Sequence, residues 1–318
     1  MGNYLVKRLL QIIPVLLGVT VLTFLLMRLA PGDAALMKLQ SMGIDPTPEA
    51  LFAMRERLGL DQPLFTQYWI WLGDVLRLDL GNSIITGRPV LEEFALRFSN
   101  TLQLALASMG VIAAIAFPVG VLSAMRKNRM FDGASRMGSI FIMSIPSYCV
   151  GLLLIILFSV KLRLLPSFGT GTPLHIVMPS LALSLGLAAY YSRFIRSTLL
   201  EELSKDYIKA ARARGASTAV LVWRHALKNA ATPIITSLGM SFGLLLGGSA
   251  VVELIFSWPG VGKYLVESIL QRDYPAVQGC VFLIALLFVA INLCIDIVCM
   301  LLDPRTRGQR SMERGAAV

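Results

Sequence analysis

Glu201–Asn229 reads EELSKDYIKAARARGASTAVLVWRHALKN. Ala210, Ala211 and Ala213 are strong helix formers. Gly215 interrupts the run, and a second helical stretch follows from Thr218 to Lys228. The segment predicts a short helix, a glycine turn and a second helix. It is basic and lies between two apolar runs, roughly 175–195 and 231–252. Each run is long enough to cross a bilayer, which takes about 20 residues. The helical pair therefore belongs on a membrane face, and the chain must be read as spans and loops.

Composition agrees. Of 318 residues, 56% are hydrophobic and 15% charged, against roughly 25% charged in a soluble domain; the mean hydropathy is +0.70. A water-soluble globule cannot hide that much apolar surface, and a disordered chain shows the opposite bias. Leu9–Met27 reads as a first span behind Lys7 and Arg8. Arg28 stands where signal cleavage needs a small residue, so the span is expected to stay uncleaved. Residues 31–98 are mixed and polar, with 9 acids and 6 bases. Short helices are expected there, one from Pro48 to Leu58 with Thr47 as its cap. Further spans are expected near 100–125, 137–160, 175–195, 231–252 and 277–302, with Pro118, Pro146 and Pro179 inside three of them. Intramembrane prolines favour a packed bundle, where neighbouring helices satisfy the freed backbone groups.

Charge sets the sides. With the N-terminus, 126–136, 193–230 and everything after 292 inside, the inside carries 18 bases and 7 acids. The outside carries 11 bases and 12 acids, so the net +10 is an inside excess. Both termini are then expected in the cytoplasm. The bases are divided among several loops, which argues against nucleic acid as a partner. The four cysteines, at 149, 280, 294 and 299, sit in apolar stretches without CxxC spacing and read as packing residues.

On physics alone the loop has two readings, a basic helix resting on anionic lipid or a docking surface of small residues flanked by Lys209, Arg212 and Arg214. Lys209-Ala210-Ala211-x-x-x-Gly215 resembles the "EAA…G" loop of ABC-importer permeases, with Lys209 where Glu is usual. The fuller run Asp206-Tyr207-Ile208-Lys209-Ala210-Ala211-Arg212-Ala213-Arg214-Gly215, followed by His225-Ala226-Leu227-Lys228-Asn229, is similar to the peptide/nickel branch. Pro31-Gly32-Asp33, Leu58-Gly59-Leu60-Asp61-Gln62-Pro63-Leu64, Leu78-Asp79-Leu80-Gly81-Asn82-Ser83, Phe256–Lys263, Arg272–Gln278 and Asp303-Pro304-Arg305 extend the likeness over nearly the whole chain.

The resemblance implies an all-α integral membrane protein of the bacterial inner membrane, with six transmembrane helices in the type I importer permease fold. It implies residues 1–30 as the N-terminal span, 31–98 as an extracytoplasmic segment, 99–302 as a five-helix core holding a cytoplasmic coupling loop at 200–229, and 303–318 as a cytoplasmic tail. The implied partners are a homologous second permease in a heterodimer, two ATP-binding subunits, an extracytoplasmic substrate-binding protein and membrane lipid. No cofactor is expected on this chain; ATP-Mg belongs to the partner subunits. Asp206, Tyr207, Lys209, Ala210, Ala211, Arg212, Arg214, Gly215 and His225 are the residues expected to couple to those subunits. Pro46-Thr47-Pro48-Glu49 with Arg55 looks most similar to the nickel branch, so nickel or a nickel chelate is the expected cargo, with di- or oligopeptides the alternative. An ATP-independent transporter or channel, or a membrane-anchored scaffold built on 31–98, are the readings from other classes.

Other features carry blander meanings. Gly260-Val261-Gly262-Lys263 is no P-loop, since Ser257 and Tyr264 stand where Gly and Ser or Thr are required. His175 and His225 fall in different loops and read as local hydrogen-bonding residues, so the chain is not expected to be an enzyme. Gly239, Gly243 and Gly247 recur every four residues and permit close helix packing. Asp296 is expected at the inner interface or facing the bundle.

Overall fold

The computed structural model describes residues 2–29 and 32–302. The expected tail, 303–318, and the Asp296 side chain lie outside the described residues. Among those described, the chain is all-helical, with one isolated bridge between Asn82 and Pro89. The helices are α1 (Gly2–Leu29), α2 (Ala34–Ser41), α3 (Pro48–Arg57), α4 (Leu64–Leu76), α5 (Val90–Met125) and α6 (Met130–Met143). They continue with α7 (Ser147–Lys161), α8 (Pro173–Ser204) and α9 (Asp206–Ala213). Then come α10 (Thr218–Gly248), α11 (Ala250–Ile255), α12 (Val261–Leu270) and α13 (Tyr274–Leu302). By length and hydropathy α1, α5, α8, α10 and α13 can each cross a bilayer, and α6 with α7 makes a sixth as a broken pair. This is the multi-span architecture that the composition demands.

Three boundaries differ from the sequence reading. The third span is not one helix over 137–160: α6 and α7 meet at 96°. Pro146 lacks an N–H and disfavours a helical residue before it, so the chain breaks at Ser144–Ile145. Pro14, Pro118 and Pro233 stay inside continuous helices. The second span starts at Val90, inside the segment expected to run to 98. The fifth starts at Thr218, so the predicted second loop helix is the first turns of a membrane-length rod.

The described residues form two compact units, one within 2–101 with 259–289 and the other within 102–258 with 290–302. In the first, Asp33 caps α2 by accepting from Ala35 N (2.9 Å) and pairs with Arg55 of α3 (2.6 Å). Thr47 caps α3 through Ala50 N, as its sequence predicts. Tyr68 and Trp71 of α4 pack on Phe24 of α1. A core of Val75, Leu80, Val90, Phe94, Val261, Tyr264, Ala276 and Cys280 lies at the centre. Burial there pushes the Tyr264 phenol up to about 12. Asp273, fully buried, accepts from Ile84 N (3.0 Å), Ala276 N (3.3 Å) and Ser83 Oγ. It thereby pins the turn before α5 to the start of α13.

In the second unit α8 is central. Helices α6, α7, α10 and α11 all pack on it. Gly120 of α5 lies so near α8 that a Cβ there would sit 2.7 Å from the Ser192 carbonyl oxygen. Arg196 of α8 grips Asp132 of α6 with two nitrogens, at 2.5 and 2.8 Å, and the carboxylate is sealed from solvent. The Tyr191 hydroxyl donates to the Ser237 carbonyl (2.5 Å) and meets Ser241 Oγ at 2.6 Å, joining α8 to α10.

Candidate functional site: the loop between α8 and α10

Lys205 is extended and ends α8; Asp206 opens α9. Two turns later the helix closes in a paired-bond C-cap: Gly215 N donates to Arg212 O (2.9 Å) and Ala216 N to Ala211 O (3.2 Å). Gly215 takes φ +87°. A Cβ at this position would meet nothing within 4 Å, so glycine is required here by backbone conformation and not by space. Ser217 then caps α10 through Val220 N (3.4 Å). Over Leu221–Ala226 the first turns of α10 widen to i→i+5 pairing, a local form that recurs at functional sites.

The loop has an inner and an outer face. Ile208 and Ala211 of α9 and Leu221, Val222 and Ala226 of α10 are buried, where α9 packs on α8 and on the start of α10. Asp206, Lys209, Ala210, Arg212, Ala213, Arg214 and Gly215 are exposed. The expected small-residue surface is therefore Ala210, Ala213 and Gly215. Ala211 points inward and serves packing, because its place in the helical turn matches that of Ile208, three residues before.

A polar clasp fixes the two faces. The Tyr207 hydroxyl donates to Glu202 Oε2 (2.8 Å) and accepts from Asn229 Nδ2 (2.9 Å). One phenol thus ties the end of α8, the start of α9 and the third turn of α10. Burial pushes that phenol above its ordinary value. The hydrogen bond from Lys205 to Glu202 raises the lysine, and Lys209 beside Asp206 (2.8 Å) holds that carboxyl low. His225 is half-buried in the widened turns. The sequence reading missed the roles of Glu202 and Asn229. Their only signal was a carboxylate and an amide flanking a tyrosine in a helical loop.

The other singled-out residues lie elsewhere. Gly239 of α10 faces Ile295 of α13, with a built Cβ 2.8 Å from Ile295 Cγ1. Gly243 is buried and Gly247 exposed. His175 closes a capping box with Thr172 at the start of α8. Among the described residues no three His, Cys, Asp or Glu side chains gather as a metal site.

Five membrane-length helices, with a bent pair as a sixth candidate span, and a basic helix–glycine–helix loop between two of them are the parts of a multi-span membrane permease subunit. The comparisons give the family. Residues 116–308 match the binding-protein-dependent transport system inner membrane component, and 1–105 match the N-terminal membrane component of the same systems. The chain belongs to this family of bacterial importer permeases. It is 40% identical over 307 residues to the glutathione transport system permease protein GsiC of Escherichia coli O6:H1, covering 96% of this chain and 99% of that one. To the protein of the same name from Pectobacterium atrosepticum it is 41% identical over the same shares. Among solved structures, an inward-facing form of the MetNI methionine ABC transporter superposes with TM-score 0.57 at 20% identity, over 67% of this chain and 97% of that chain. That likeness is one of fold.

Proposed function

We propose that this permease subunit carries short peptides, glutathione-like in size, into the bacterial cytoplasm. The observation that carries the reading is 40–41% identity along 96% of the chain to permeases named for glutathione. The nickel expectation loses its support. It rested on a likeness in Pro46–Glu49 and Arg55, whereas the relatives matched along 96% of the chain are named for glutathione; in the fold Thr47 caps α3 and Arg55 pairs with Asp33. Those residues serve the packing of α2 on α3.

The family implies ATP-hydrolysing subunits and a binding protein; a homologous second permease completes the proposed assembly. ATP-Mg sits on the partner subunits. The basic excess of the loop and termini supports a cytoplasmic placement for 200–229, the N-terminus and the tail, with 31–98 outside. Asp206, Tyr207, Lys209, Ala210, Arg212, Arg214, Gly215 and His225 then form the surface that meets an ATP-binding subunit, with Ala211 supporting it from beneath. Coupling needs an element with discrete arrangements that both sites bias, and the Tyr207 clasp makes the loop move as one body. Uptake of labelled glutathione, a dipeptide and nickel in cells with and without the gene tests the cargo. Loss of peptide uptake alone is the expected result; loss of nickel uptake alone overturns it.

A further inference from the structure

The first unit contains a cavity of about 320 Å³ whose lining includes several unpaired buried polar atoms. Among the described residues seven buried side-chain polar atoms have no hydrogen-bond partner, and four belong to this one cavity: Arg28 Nε, Gln67 Oε1, Trp71 Nε1 and Gln278 Nε2. Gln67 is 8% exposed and Gln278 4%. The Gln67 amide is fixed, because its nitrogen donates to Leu60 O (3.2 Å) and Gln62 O (2.7 Å), leaving the oxygen unused. The Arg28 guanidinium carbon lies 4.6 Å from the Tyr274 ring centroid and 5.4 Å from that of Phe24. These rings lie against the cation, and its Nε is left unpaired. Asp74, half-buried on α4, adds an anion to the same wall.

Buried polar groups are normally satisfied, so four orphans in one place mark an occupant. A single bridging water fills about 30 Å³, far less than this space. The lining offers a guanidinium and two N–H donors suited to a carboxylate, an amide oxygen and a carboxylate suited to an ammonium, and apolar walls between. We propose that this cavity is a binding site for a free α-amino acid. Its carboxylate is held by Arg28, Trp71 and Gln278, and its ammonium by Asp74 and Gln67. The site lies outside the coupling loop and does not rest on the peptide-transport reading.

The test is equilibrium dialysis of radiolabelled leucine against the purified permease–ATPase complex in nanodiscs, without binding protein. Saturable binding is expected. It should weaken about tenfold, the factor of one lost charge-assisted contact, for both N-acetylleucine and leucinamide. Asp74→Asn should weaken leucine about tenfold while leaving N-acetylleucine unchanged, because that probe has no ammonium. Gln278→Leu should weaken leucine but spare leucinamide. If Gln278→Leu fails to assemble, the Asp74→Asn pair still decides, since Asp74 is not in the core. Absence of saturable leucine binding overturns the proposal, as does equal binding of leucine and leucinamide. A leucyl-leucine dipeptide that binds as tightly as leucine overturns the free-amino-acid assignment.

Discussion

Gly215 is held at φ +87° with open space where a side chain would go. Left-handed backbone costs an L-residue about 1–2 kcal/mol, and a β-branched residue more. Gly215→Val should therefore distort the turn and lower substrate moved per ATP hydrolysed by roughly tenfold, while Gly215→Asn, which tolerates this conformation, keeps most coupling. Paired uptake and ATPase assays on the reconstituted complex check it. Asp273 gives a second prediction. Its carboxylate serves Ser83, Ile84 and Ala276 from a fully buried position, so Asp273→Ala should destabilise the first unit by about 3 kcal/mol, read as a fall in melting temperature in detergent. Gly215 and Thr47 were legible in the sequence because their signals are local. Asp273–Ser83 and Asp132–Arg196 were not: each pair joins residues far apart in the chain, and nothing local distinguishes a buried acid from a loop acid.

The informative element is α9. It turns Lys209 and Arg212 outward, with Arg214 exposed just past its end, and keeps Ile208 and Ala211 inside. Arg212→Glu with Arg214→Glu should leave the fold intact and reduce recovery of ATP-binding subunits in affinity purification severalfold, as for reversal of interfacial charges. Unchanged recovery with loss of anionic-vesicle binding would favour the lipid reading. Helix-forming alanines and the Gly215 break marked this loop, yet apolar runs misjudged where rods begin and end. Apolar content cannot separate Pro146, which breaks α6 from α7, from Pro118, which α5 absorbs; only the neighbouring helices decide that.

For the whole molecule, the membrane-length helices were readable because hydropathy is a sum over long segments. The cargo was not, because the likeness at 46–61 is a pattern over a short segment with no residue chemistry behind it. Sidedness makes a further prediction. In a background lacking the native cysteines, Arg212→Cys should react with a membrane-impermeant maleimide only in inside-out vesicles, and Phe52→Cys, exposed on α3, only in intact spheroplasts. The opposite pattern would invert the topology.

The contact between Gly120 and the Ser192 carbonyl bears on heredity as well as packing. Every single-base missense change in a glycine codon adds at least a Cβ, and here that atom meets backbone, which cannot swing aside. Codon 120 should thus be nearly empty of missense alleles in a library selected for growth on the transported nutrient. Codon 186, whose glycine lies on α8, the helix that carries Ser192, with nothing within 4 Å of an added Cβ, should fill with them.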